Sequence, residues 1–185
     1  MKEGLVKQGL SAPEMGKINR YTRRAYTPEE VYAFSLVLCD NEVDRDGERF
    51  PRATLEELAE LFVGKSGIFD HEWTAKGQAA RIYRTEIVEE EGVCSQGEGR
   101  CYLKGYAYML RGGENDALIA QIEGGIKKEV SVSCAMGSAV CSLCGADRRS
   151  GGCSRAIASM GTLVPCQGVR GRVSAHEHYI RKDSK

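Results

Sequence analysis

EVSVSCAM, residues 129–136, alternates with a period of two and therefore reads as a strand. Val130, Val132 and Cys134 share one face, while Glu129, Ser131 and Ser133 share the other, because successive strand side chains point to opposite sides. The first face is apolar and belongs on a core. The second shows two serines with no bulky neighbour: either an ordinary polar outer face or a strand that carries a nucleophile. Serine is a weak nucleophile until a base takes its proton, so the second reading needs a base within hydrogen-bond reach. His71 is the only histidine in the first 175 residues. It sits in the strand-like GIFDHEW (67–73), flanked by Asp70 and Glu72.

Working outward, VYAFSLVLC (31–39) is β-branched and aromatic and long enough for a buried strand. AARIYRTEIVEEE and CYLKGYAYML (101–110) alternate and are joined by GVCSQGEG, which predicts a hairpin. Two helices interrupt the strands. Thr54 and Glu57 predict a capping box for TLEELAELF, whose Leu55, Leu58, Ala59 and Phe62 lie on one face before Gly64. In NDALIAQIEGGI (115–126), Asn115 is the expected cap, Leu118, Ile119 and Ile122 the buried stripe, and Gly124-Gly125 the stop. The acidic DNEVDRDGERF reads as a solvated turn, because no glutamate stands where a calcium-binding loop would need its closing ligand. Residues 1–27 read as a poorly ordered, flexible N-terminal arm. At least five strands with inserted helices predict a mostly β, α+β fold with a closed or partly open sheet.

The chain has 185 residues, enough for one domain with a hydrophobic core. Its 26 basic and 26 acidic residues cancel, so no global field favours nucleic acid or a membrane surface. The opening MKEGLVKQGL has no apolar core of a signal peptide, and no stretch approaches the roughly 18 apolar residues of a membrane helix. The expected compartment is a cytoplasm, where cysteines are thiols, metal ligands or nucleophiles.

The order of these pieces resembles a known family. An entry strand, DRDGERFPRATLEELAELFVGK, the histidine of DHEW, a long strand pair, a helix and KKEVSVSC are similar to the tailed-phage prohead proteases, the capsid-maturation serine proteases whose fold is similar to herpesvirus assemblins. The resemblance covers about residues 30–145. It implies a barrel of the herpesvirus protease type over residues 28–140, with Ser131 as nucleophile, His71 as general base and Ser133 as the alternative nucleophile. Cys134, on the opposite face, is a poor nucleophile candidate. It further implies cleavage of the phage major capsid protein and its scaffold segment inside an assembling prohead in the bacterial host cytoplasm, self-association, and catalysis without a cofactor. In relatives an acid or a second histidine, on a strand after the serine, orients the imidazole. Asp70 and Glu129 fit that role poorly, and His176, Glu177 and His178 stay open as third member. The alternative is a catalytically impaired binding or scaffolding module of the same fold.

Five of the eight cysteines fall in one late window. CSLCG (141–145) has the spacing of half a tetrahedral zinc site, which Cys153 and Cys166 would complete around Cys141 and Cys144 over residues 141–166, with His176 or His178 as substitutes. The competing reading is a polar insert with four reduced thiols. Beyond residue 154 no clear strand alternation stands out, which predicts a divergent or disordered tail over 167–185 and a barrel without its closing strand.

Overall fold

The computed structural model describes residues 5–44, 48–69, 74–136, 140–141, 145–146 and 173–180. In chain order the elements are β1 (Val6–Lys7), α1 (Ala12–Asn19), β2 (Val31–Asp40), α2 (Arg52–Phe62), β3 (Ser66–Phe69), β4 (Gln78–Val93), β5 (Gly99–Leu110), α3 (Glu114–Glu123), β6 (Val130–Met136) and β7 (Val173–Ile180). The described strands form one seven-stranded sheet in the order β1-β2-β5-β4-β3-β7-β6. The fold is thus α+β and mostly strands. The sheet curls until β6, at one end, approaches β2 near the other, and no ladder joins the two among the described residues. The result is a curled half-barrel. No helix among the described residues is long and apolar enough to cross a membrane.

The core follows from two patterns meeting. Tyr32, Phe34, Leu36 and Leu38 of β2, with Leu103, Ala107 and Met109 of β5, face α2 and α3. Those helices answer with Leu55, Leu58, Phe62, Leu118, Ile119 and Ile122. Leu55, Leu58 and Phe62 are completely buried, each worth about 1.5–3 kcal/mol of transfer free energy. At Gly105 a Cβ would meet Leu38 side-chain carbons at 3.1–3.3 Å, so an added side chain there needs Leu38 to shift by a few tenths of an ångström. Asn41, 1% exposed, ties the end of β2 to the start of β5: its Nδ2 donates to the Gly99 carbonyl at 2.7 Å and its Oδ1 accepts from the Cys101 N–H at 3.0 Å.

Several expectations need correcting. Within the arm expected over 1–27, β1 pairs with β2 and α1 packs Met15 and Ile18 on Val31, Tyr83, Tyr106 and Tyr108, the far side of the sheet. Glu14 accepts the Ser11 N–H at 3.1 Å, the reach-back of a capping box. α2 starts at Arg52 after Pro51, so Thr54 lies inside the first turn, buried, rather than capping it. α3 is preceded by Gly113 at φ +63°, and Asn115 instead donates to the Leu110 carbonyl at 3.0 Å. The tail does return to the sheet, since 173–180 form β7 between β3 and β6.

Candidate active site

β6 carries the two serines as its alternation dictates. Val130, Val132 and Cys134 pack against the main core cluster. Ser131 and Ser133, at the alternate positions, are partly buried. Burial pushes the Cys134 thiol up, away from the thiolate a cysteine nucleophile needs.

The neighbours of these serines come from strand register. β7 is antiparallel to β6 and pairs Val130 with Ile180, Ser131 with Tyr179 and Ser133 with His176. Between the last two pairs β7 spends one residue more than β6, an irregularity of the bulge kind. On its other edge β7 runs parallel to β3, pairing His178 with Gly67, Tyr179 with Ile68 and Ile180 with Phe69. Ile68, Tyr179 and Ser131 therefore form one row across three strands, one position short of the end of β3.

Of the residues singled out from sequence, Ser131, Ser133, His176, Glu177 and His178 are thus gathered on adjacent strands. His176 lies directly across from Ser133 and diagonally from Ser131, while His178 lies across from Gly67 on the far edge and Glu177 at the position between them. His71 falls outside the described residues.

Of the proposed zinc ligands, Cys144, Cys153 and Cys166 fall outside the described residues. Cys141 is buried at 2% exposure. Its carbonyl accepts the Gly145 N–H at 2.9 Å, and its own N–H donates to the Ala146 carbonyl at 2.8 Å. Gly145 has φ +70°, so the chain reverses tightly right after the C-x-x-C segment. Among the described residues no three His, Cys, Asp or Glu side chains group as a metal site.

The sequence reading passed over the wall facing β6. A cleft of about 470 Å³ lies between β6 and the segment that follows β2. Val132, Ser133 and Cys134 line one side; Asp40, Glu42, Asp44 and Glu48, with Arg49 and Phe50, line the other. The stretch read as a solvated turn is tied into a loop: Asp44 N–H donates to the Glu48 carbonyl and Glu48 N–H to Asp44 Oδ1, both at 2.8 Å. The hydroxyl and N–H of Ser95 hold the Glu42 carboxyl below the usual carboxylate range. The density of acids in DNEVDRDGERF was the available signal, but its partner strand lies far along the chain. No family model, curated protein or solved structure matches this chain.

Proposed function

We propose that this chain is a serine endopeptidase of the prohead-maturation kind. It would act on the major capsid protein and scaffold segment of a tailed phage inside the assembling head, in the host cytoplasm. The observation that carries the proposal is the Ile68–Tyr179–Ser131 row. It sets Ser131 level with the end of β3, two strand spacings or about 10 Å across the sheet, and from that end the sequence continues through Asp70 to His71. In this reading His71 takes the Ser131 hydroxyl proton, the oxygen attacks a peptide carbonyl, and the imidazolium returns the proton to the departing amine. The β6–β7 register favours His176 over His178 and Glu177 as the group that orients the imidazole, because only His176 lies on the row of one serine and diagonal to the other. Ser133, directly opposite His176, is the alternative nucleophile.

The test is co-expression with a candidate capsid protein, followed by mass spectrometry of the capsid N-terminus. The expected result is a shortened capsid chain that disappears with Ser131→Ala. Unprocessed capsid protein with the parent chain would sink the proposal.

A second reading, a zinc-stabilised binding or scaffolding module, draws on the tight turn that Gly145 makes after Cys141. It separates from the first by labelling: a module without an activated serine does not react with a serine-directed phosphonate.

A further inference from the structure

We propose that the basic surface around Tyr21, where the turn after α1 meets the turn between α2 and β3, docks an acidic segment of a partner protein. The docking rests on the surface itself; that the partner is the substrate, held at a distance from the bond to be cut, rests on the endopeptidase reading above.

RYTRRAY (20–26) carries three arginines. Arg24 is committed within the fold: its two terminal nitrogens donate to the Glu30 carboxylate at 2.7 and 3.3 Å, and its guanidinium lies 3.7 Å from the centre of the Tyr26 ring. Arg20 and Arg23 are exposed. A Cβ on Gly64 would come 3.3 Å from Tyr21 Cε1, so the Tyr21 ring rests on the turn between α2 and β3 and joins the two segments. That turn brings Lys65, and Arg81 donates to the Gly64 carbonyl at 2.6 Å. Lys17, Arg20, Arg23, Lys65 and Arg81 form no ion pair among the described residues. Helix polarity accounts for Lys17 and Arg20, at the C-terminal end of α1, but not for Arg23, Lys65 and Arg81, which lie off that helix. The acids nearby do little to offset them. Glu30 is taken by Arg24, Glu29 is bonded to the Thr27 hydroxyl, and Glu60 stands on α2 just before Val63. Residues 148–172, which lead into β7, contain five arginines and no acid, and Asp70 and Glu72 follow the end of β3 away from Gly64.

The composition of the surface favours a protein over a nucleic acid. Tyr21 and Val63 are each 39% exposed beside the cations, an apolar centre with a charged rim, and tyrosine and arginine are the residues that protein interfaces concentrate. The charges of the whole chain cancel, which leaves no extended field to follow a phosphate backbone. Placement ties the surface to the serine strand. Gly64 stands four residues before Ile68, about 13 Å along the strand direction, and Ser131 lies two strands across from Ile68, about 10 Å. The resulting separation of about 17 Å is spanned by about five residues of extended chain. The acidic segment therefore belongs at least that far in sequence from the cut bond.

The experiment uses the full chain carrying Ser131→Ala and a fluorescent peptide of glutamates interspersed with leucines, against its glutamine counterpart and an oligothymidine of equal length. Fluorescence anisotropy should give the glutamate peptide about tenfold tighter binding than the glutamine one at low salt. That preference should fade between about 50 and 500 mM NaCl as screening grows. It should vanish in an Arg20→Gln, Arg23→Gln variant, which changes only exposed side chains. Equal binding of the two peptides, a preference that survives in the variant, or tighter binding of the oligothymidine overturns the proposal, and the first and last of these need no variant. In the chain with Ser131 intact, the same two substitutions should slow processing of the co-expressed capsid protein while leaving the rate of phosphonate labelling at Ser131 unchanged. Slowed labelling, or unchanged processing, would remove the substrate from this surface. Peptide binding is read without turnover, so glutamate preference in a chain that cuts nothing would uphold the docking surface and fail the protease reading.

Discussion

Ser131 and Ser133 share a face of β6 but face different neighbours, Tyr179 and His176. That difference makes the nucleophile assignment testable one hydroxyl at a time. Ser131→Ala should abolish capsid processing, whereas Ser133→Ala should leave most of it; the reverse pattern, read by mass spectrometry, would move the nucleophile to Ser133. His71→Ala should be as damaging as Ser131→Ala and the double variant hardly worse, because residues that act as a unit in proton transfer do not lose rate additively. A multiplied loss in single-turnover rates would argue against a shared step. Much at this scale was legible in the sequence: the period of EVSVSC alone separates the serines from the core-facing Val130, Val132 and Cys134. What the third member is was not, because His176 acquires its relation to Ser133 only through register, and one added residue in β7 determines it.

At the scale of elements, α1 shows how a helix is held by an ionised end. The Ser11 N–H bonded to Glu14 holds that carboxyl below its ordinary value, against the opposing effect of burial, with further help from the Ser11 hydroxyl, Arg84 and Tyr83. A depressed carboxyl pKa stabilises the folded state above the unfolded value near 4.5 and loses that contribution as pH falls through the folded value. Urea midpoints should therefore fall below about pH 4.5, and Glu14→Gln should be less stable at neutral pH yet show a shallower acid slope. Identical slopes would mean that Glu14 does not anchor α1. In α2, Phe62→Ala empties a fully buried site and should cost about 3–5 kcal/mol in denaturant unfolding. The S-x-x-E of SAPE, with its proline, carried the signal for α1, but Gly16 and the polar surroundings masked it. In VSAHEHYI the histidines and Glu177 break the apolar alternation, so they hide a strand whose two edges are both satisfied by distant partners.

For the molecule as a whole, the curled sheet brings the loop after β2 close to β6, and both the serine strand and the acidic cleft depend on that closure. No periodicity encodes it, because curl comes from the summed twist of strands far apart in sequence. The cysteine segment is attached to the C-terminal side of β6, and elemental analysis of protein purified without chelator should find about one zinc per chain if Cys141 and Cys144 are joined by two later ligands. Metal-free protein would leave the thiol reading. The most direct measurement of the central claim is reaction of the purified full chain with a serine-directed peptidyl phosphonate, followed by peptide mapping. The account predicts a single adduct on Ser131 that is lost in His71→Ala, while absence of any adduct, or an adduct that persists without His71, would contradict it.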